Sequence, residues 1–505
     1  MGKRFAVERS ETLLQRSCGS TLKPVRTSLI SNFGKPVSEP ILELHRPLDL
    51  RARMQLERTM SRSGIWIRAL VSSFLIALCA ACSGTGSPDI ASLVGRLDAE
   101  LPAVIAQGNA PSIQVAVVAG RRVIWSHAFG ENAGVDRVYM NASVQKTYTA
   151  TAVLQLVERG KIDLDADVSE YLPFTVRHPL FLETPVTVRM LLAHRSGLDA
   201  LPYQFAWDTE SAFSPEYRPP CPDYLLAMSL QEFLVASLTP EGTNYDPGSW
   251  VFEPGEKYGY SVSAYPLLRY LIGQVAGASY EEYMREYVFA PLGMTSSGFS
   301  ADEFAGRHAT PYTRIDGNNV EIPVWNGQGS MMHTTAADMA RFMLALMNNG
   351  RYGDDQLLRP ETVDLMQRRT TRFRSLFKGG EDLPLTGHGL GLFLFRGGWV
   401  GYGGSAPGFQ SLLRYNPSRQ VGFVIMANVN AILSGGENYA SARSDIYAVQ
   451  DAVVSIQDPS FGIRRRAAEV ALLGALGTYF LAVVLRVRRK RRGRDSPSSH
   501  AVTRH

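Results

Sequence analysis

Asn141-Ala-Ser-Val-Gln-Lys-Thr-Tyr148 decides the reading of this chain, because it sets Ser143 three residues before Lys146. A serine hydroxyl is a weak nucleophile until a base stands within hydrogen-bond reach. Positions i and i+3 share a helix face, so the Lys146 amine would stand one turn from the Ser143 hydroxyl and could take its proton. The same spacing recurs at Ser20/Lys23 and Ser375/Lys378, and context separates the three. Before Ser143, Ile113-Gln-Val-Ala-Val-Val-Ala-Gly120 and Val123-Ile-Trp-Ser-His-Ala-Phe-Gly130 read as two strands around a turn near Gly120. After it, Val153, Leu154 and Val157 recur at helical spacing, with Gly160 as the stop. A helix opening at the serine adds positive potential beside a developing anion. Ser20 sits in a basic leader and Ser375 in an arginine-rich, loop-like stretch, so Ser143 is the candidate nucleophile.

Composition narrows the function classes. The chain carries 52 Lys and Arg against 47 Asp and Glu, but much of the excess lies near the two ends. The middle therefore offers no basic surface for nucleic acid. Four cysteines, Cys18, Cys79, Cys82 and Cys221, are too few and too scattered for a disulfide framework. The nine histidines form no His-Glu-x-x-His or comparable ligand spacing, so neither a metal nor a cofactor is expected.

In chain order, residues 1–59 are a basic, poorly periodic leader, with the true start expected at Met54 or Met60. Residues 60–82 carry Arg62 and Arg68 before a short apolar run ending in small residues, the layout of a secretory signal. Leu78-Cys-Ala-Ala-Cys82 resembles a bacterial lipoprotein signal, with Cys82 as the lipidated residue and Cys79 where leucine is usual. A disordered tail before an anchor helix is the alternative. A Gly/Ser linker at 83–90 leads into a domain at 91–456. Residues 467–485 form an apolar run of helix-spanning length, followed by Arg486, Arg488 and further basic residues at 486–505. This predicts a C-terminal transmembrane helix, a cytoplasmic tail and a domain on the outer face of a bacterial membrane.

The domain's landmarks are Ser143-Val-Gln-Lys146, Gly160-Lys-Ile-Asp-Leu-Asp165, Leu191-Leu-Ala-His-Arg-Ser-Gly197, Pro254-Gly-Glu-Lys-Tyr-Gly-Tyr260, Thr334-Thr-Ala-Ala-Asp338 and Gly401-Tyr-Gly-Gly-Ser405-Ala-Pro-Gly408. In this order they resemble the serine β-lactamase and penicillin-binding-protein-like superfamily, in particular its class C β-lactamase and esterase branch. The resemblance implies an α/β fold: a β-lactamase-like three-layer sandwich whose antiparallel sheet comes from both chain ends, flanked by helices, with a helical subdomain. It implies that Ser143 is acylated, that Lys146 shares its proton, and that Tyr260 is the second base, drawing on the Lys146 charge to ionise. It also implies an oxyanion hole from the backbone N–H groups of Ser143 and Ser405, with Tyr402, Gly403 and Gly404 lining the substrate strand.

Two positions depart from the family pattern. Val262 stands where an asparagine usually holds the motif lysine and a substrate amide, and Tyr402 stands where Lys or His is usual. Neither residue can do what it replaces, which shifts the expectation from β-lactams towards esters. Ser405 fits no α/β-hydrolase elbow, because Pro407 occupies the second glycine position and a strand follows. His194 is read as fixing a loop beside the site, and Asp338 as an acid in the first turn of a helix. The reading is a membrane-anchored serine hydrolase acting on a small-molecule ester, amide or short peptide, with an esterase favoured. A D-Ala peptidase, a β-lactamase and a catalytically inactive binding module of the same fold are the alternatives.

Overall fold

Alternation along two distant apolar runs builds the centre of the fold. The structure, a computed structural model, describes residues 89–201, 228–324, 331–373, 385–430 and 436–458. Strand β1 (Ser112–Ala119) turns at Gly120, which adopts φ +60, into β2 (Arg122–Gly130). The sheet is completed by β3 (Thr371–Arg372), β4 (Leu385–His388), β5 (Phe393–Phe395), β6 (Val400–Ala406), β7 (Phe409–Asn416) and β8 (Val421–Ala427). Its eight strands lie in the order β2-β1-β8-β7-β6-β5-β4-β3, and every pairing is antiparallel. The pairing of β1 with β8, Val115 opposite Ile425 and Val117 opposite Phe423, closes the two ends of the domain onto each other.

Every residue of β1, β7 and β8 is buried, because helices cover both faces of the sheet. Successive side chains of a strand point to opposite faces. Val115 and Val117 accordingly pack into one apolar cluster, and Ala116 and Val118 into the other. The first cluster is closed by α1 (Ile90–Gln107) and by a C-terminal helix, Gly436–Gln457. Leu93, Leu97 and Leu101 recur every four residues along α1, and Asp89 caps it by accepting from the N–H groups of Ala91 and Ser92. The second cluster contains α2 (Gln145–Glu158), α3 (Ala264–Ala276) and α4 (Ala336–Met347), the last of these packed on β1 and β8. Eleven residues of α2 are buried, on every side of the helix, as expected for one enclosed between sheet and subdomain. Thr335 caps α4 by accepting from the Asp338 N–H, and Asp338 lies in the first turn. The Asp338 carboxylate is also paired with Arg341 at 2.7 Å and accepts from Ser296 N–H and Ser297 Oγ, so its contacts are structural.

The expected membrane anchor is corrected. Among the described residues no helix is long and apolar enough to cross a membrane, so the C-terminal transmembrane helix and the membrane-bound, extracytoplasmic location derived from it are withdrawn. That expectation rested on the apolar run at 467–485, on the basic residues after it and, for the location, on the N-terminal signal reading, and the run lies outside the described residues. So do the leader, the signal segment with Cys82, nearly all of the 83–90 linker and the basic tail.

An ion pair ties the C-terminal helix, here α5, to the rest. Arg314, on the short strand Tyr312–Ile315, is 1% exposed and meets the Asp445 carboxylate at 2.9 Å. It also donates to Asn109 O and Ser441 Oγ, joining three segments at one guanidinium. Breaking a buried pair leaves an uncompensated charge. Asp445→Ala is expected to destabilise the chain by about 3–5 kcal/mol in urea unfolding, whereas Arg314→Met with Asp445→Leu should cost far less. A loss below about 1 kcal/mol for the single variant would place this pair among surface ion pairs in energetic terms.

Candidate active site

The turn that carries the candidate nucleophile is held by contacts from two separate segments. The short strand Tyr139–Met140 pairs with His333–Thr334, and the Asn141 N–H donates to Met332 O at 3.0 Å. Asn141 O accepts from Ser411 Oγ on β7 at 2.6 Å. Ala142 is fully buried at φ +48, a left-handed conformation uncommon outside glycine and sustained only by well-fixed surroundings. Ser143 follows in a 3-10 turn, Ala142–Val144, that runs directly into α2. The sequence placed Ser143 at the opening of the helix itself; the tighter turn puts it just outside.

Three predicted residues come together here. Lys146 Nζ lies 3.2 Å from Ser143 Oγ, and the Tyr260 hydroxyl lies 3.1 Å from the same oxygen. Lys146 Nζ also stands 5.3 Å from the centre of the Tyr260 ring. Tyr260 is positioned by the loop at 191–197. His194 O accepts from the Gly259 N–H at 2.9 Å, and His194 Nδ1 accepts from the Ser261 N–H at 3.1 Å. Ser261 Oγ in turn accepts from the Ala264 N–H at the start of α3. His194 therefore grips the chain on both sides of Tyr260, the loop-fixing contact expected of it. Val262, in the asparagine position, is half-buried.

Charge distribution singles out Tyr260. Burial pushes its hydroxyl up, but the Lys146 ammonium and hydrogen bonds with Ser143, Lys146 and Tyr402 outweigh that and bring it below the usual phenol value. Burial raises Tyr258, Tyr265 and Tyr402 instead. Tyr260 is 37% exposed as a whole, against 3% for Tyr265 and 1% for Tyr402, so burial acts on it less than on those two and the Lys146 charge prevails. When neighbouring groups titrate apart in this way, the one that ionises first is the base. Burial holds His194 well below its ordinary value, so its ring is neutral.

The substrate strand differs from the expectation in two details. Tyr402 is 1% exposed and does not line an open surface: its hydroxyl is 3.2 Å from His194 Nε2, and its backbone oxygen accepts from Arg414. Gly404 is required by protein packing, since a Cβ there would lie 2.4 Å from Asn141 O and 3.0 Å from Ala142 Cβ. A Cβ on Gly403 would meet the tips of Leu412 and Arg414 at 3.3 and 3.6 Å, and Ser411 O only at the ordinary contact distance of 3.9 Å. Among the described residues β6 has no strand partner on its β5 side beyond Gly401, which leaves Gly403 to Ser405 an unpaired edge there. The Ser405 side chain is occupied by Asn430 Nδ2 at 2.5 Å. Ala142, Ser411 and Tyr265, whose hydroxyl donates to Leu192 O, were missed in the sequence; no local motif marks them. Among the described residues no group of His, Cys, Asp and Glu is placed to hold a metal ion.

This packing makes the two glycines unequal. Gly404→Ala must displace the backbone carrying Ser143 and should slow covalent labelling of Ser143 by a fluorophosphonate by at least about 100-fold, the scale of a roughly 1 Å misplacement. Gly403→Ala should slow it by less than about 10-fold, because side-chain tips yield more readily than backbone. Equal losses in the two variants would contradict the asymmetry.

Comparison with known proteins agrees with this architecture. The family model described as beta-lactamase matches residues 94–444. PbpX of Bacillus subtilis (strain 168), whose name places it among penicillin-binding proteins, is 24% identical over 305 residues, covering 59% of this chain and 64% of that protein. The octameric penicillin-binding protein homologue from Pyrococcus abyssi superposes with a TM-score of 0.57 at 24% identity, covering 72% of this chain and 77% of that one. The D-amino acid amidase from Ochrobactrum anthropi SV3, complexed with L-phenylalanine amide, gives 0.53 at 21% identity, covering 72% and 98%. With a family match over residues 94–444, this chain belongs to the beta-lactamase family, within the superfamily of serine hydrolases that includes penicillin-binding proteins.

Proposed function

We propose that the chain hydrolyses a small ester or amide through an acyl-enzyme on Ser143. The observation that carries this reading is the convergence of Lys146 Nζ at 3.2 Å and the Tyr260 hydroxyl at 3.1 Å on Ser143 Oγ. Tyr260, as phenolate, takes the Ser143 proton while Oγ bonds to the substrate carbonyl carbon. The resulting oxyanion is met by the backbone N–H groups of Ser143 and Ser405. Collapse breaks the bond to the leaving group, which receives the proton from Tyr260. Water then repeats the sequence on the acyl-enzyme and releases the acid. Lys146 contributes its charge to the ionised phenol and its hydrogen bond to Ser143.

Esters are favoured over β-lactams. Valine at 262 offers no amide donor to a substrate, and Tyr402 supplies no cation for a β-lactam carboxylate. Amides are the second reading, supported by the likeness to an amidase that was solved with an amino-acid amide. Ser143→Ala is expected to abolish fluorophosphonate labelling and to lower hydrolysis of p-nitrophenyl esters by at least about 10⁴-fold. Labelling that persists in this variant would remove Ser143 as nucleophile, and a wild-type chain inert to esters, amino-acid amides and a chromogenic cephalosporin would leave a binding module. Val262→Asn should raise the ratio of cephalosporin to ester kcat/KM by up to about tenfold, the scale of one hydrogen bond to a charged or polar partner. An unchanged ratio would mean that position 262 does not set the preference.

A further inference from the structure

Lys146 is half-buried, and its surroundings are aromatic where an amide is usual. Its Nζ donates to Ser143 Oγ at 3.2 Å, and among the described residues no carboxylate or amide oxygen takes a bond from it. Valine at 262 has replaced the asparagine that usually holds this lysine. Two rings stand there instead: Nζ lies 5.3 Å from the centre of the Tyr260 ring and 5.5 Å from the centre of the Tyr265 ring. A cation within about 6 Å of a ring centre is attracted by the ring quadrupole, more strongly where water is excluded. Tyr265 is fixed for that role. It lies in the first turn of α3, which packs on α2, and it is 3% exposed. Its hydroxyl donates to Leu192 O at 3.0 Å, and the same oxygen accepts from the Gly391 N–H at 3.2 Å. Thr147, next to Lys146, donates to Gly391 O at 2.8 Å, so ring and lysine are tied to one frame.

We propose that Tyr265 is a positioning residue whose ring, together with that of Tyr260, holds the Lys146 ammonium beside Ser143 in place of the second-motif asparagine. The catalytic consequence rests on the acyl-transfer reading; the ring contact itself does not. A ring face attracts the charge without taking one of the three ammonium hydrogens in a directed bond, so Nζ stays free to meet Ser143 Oγ. What Tyr265 holds is also the charge that Tyr260 needs. Burial raises the Tyr260 hydroxyl, and Lys146 leads the influences that bring it below the usual phenol value. The other titratable groups nearby supply no positive charge. The His194 ring, 4.6 Å from that of Tyr260, is kept neutral by burial, as is His388 at 5.1 Å from His194, pushed down to about 3. Tyr258, Tyr265 and Tyr402, all packed on His194, are raised by burial and keep their protons.

Tyr265→Leu removes the ring and keeps an apolar side chain, whereas Tyr265→Phe keeps the ring and gives up only the bond to Leu192 O. Fluorophosphonate labelling of Ser143 at neutral pH should fall by about 10- to 30-fold in the leucine variant, the scale of a cation–π contact shielded from water. The phenylalanine variant should restore it to within about threefold of wild type. A base acts when deprotonated, so labelling rises with pH through the Tyr260 ionisation. A displaced Lys146 lowers that ionisation less, so the rise should move to higher pH in Tyr265→Leu and stay in place in Tyr265→Phe. The proton shifts of the Lys146 ε-methylene report the rings without catalysis; they are read by NMR on protein carrying carbon-13 lysine and assigned by their loss in Lys146→Gln. They should lie upfield of free lysine in wild type and in Tyr265→Phe, and move back in Tyr265→Leu. An unshifted methylene in wild type overturns the proposal, whether or not the variants fold. So does a folded Tyr265→Leu that labels like wild type or loses rate with its pH rise unmoved, and so does a Tyr265→Phe that loses as much. If Tyr265→Leu does not fold, the wild-type shift decides. An upfield methylene in a chain whose Ser143 takes no label would keep the ring contact and sink the hydrolase reading; normal labelling with an unshifted methylene would do the reverse.

Discussion

Everything at the site depends on how closely β6 approaches the turn at Asn141 and Ala142. Gly404 leaves room for Asn141 O where a Cβ would lie at 2.4 Å, and Ser411 Oγ binds that same oxygen at 2.6 Å. The contact joins a strand from the C-terminal half to the turn that precedes Ser143. It fixes the open edge of the sheet against the nucleophile, and it sustains a buried alanine at φ +48. A larger residue at 404 could not coexist with this backbone path.

The sheet can make such a contact because it is held from behind. β1 and β8 close the two halves of the domain through seven residue pairs, from Ile113 opposite Ala427 to Ala119 opposite Val421. Helices on both faces bury those strands completely, so the sheet is a rigid reference for the turn. Interior alternation, Val115 and Val117 to one side and Ala116 and Val118 to the other, leaves no freedom to slip by one residue.

Electrostatics then divides four similar side chains. Tyr258, Tyr260, Tyr265 and Tyr402 share one neighbourhood, yet only Tyr260 is brought below the ordinary phenol value, by Lys146 and the hydrogen bonds at its oxygen. The others keep their protons through burial and serve as donors or packing. Tyr402 thus occupies the position where the family usually carries a cation, but it is buried and its hydroxyl meets His194 Nε2 at 3.2 Å.

Short sequence separation explains what the sequence determined by itself. Ser143 and Lys146 are three residues apart, a spacing that puts two side chains on one face of a helical turn, and they stand 3.2 Å apart. The same holds for the β1–β2 hairpin around Gly120, for the apolar alternation of β1 and β8, and for the order of motifs that carried the family resemblance. The membrane helix was the converse case, where an apolar run of suitable length was taken for a span. What the tertiary structure decided lies across long separations. Tyr260 reaches Ser143 over 117 residues, His194 reaches Tyr402 over 208, and Ser411 reaches Asn141 over 270. No local periodicity encodes the burial of Tyr402, the left-handed turn at Ala142 or the reason for Gly404. Each is fixed by which surfaces meet when the two halves of the sheet close, and that meeting depends on the register and packing of the whole domain.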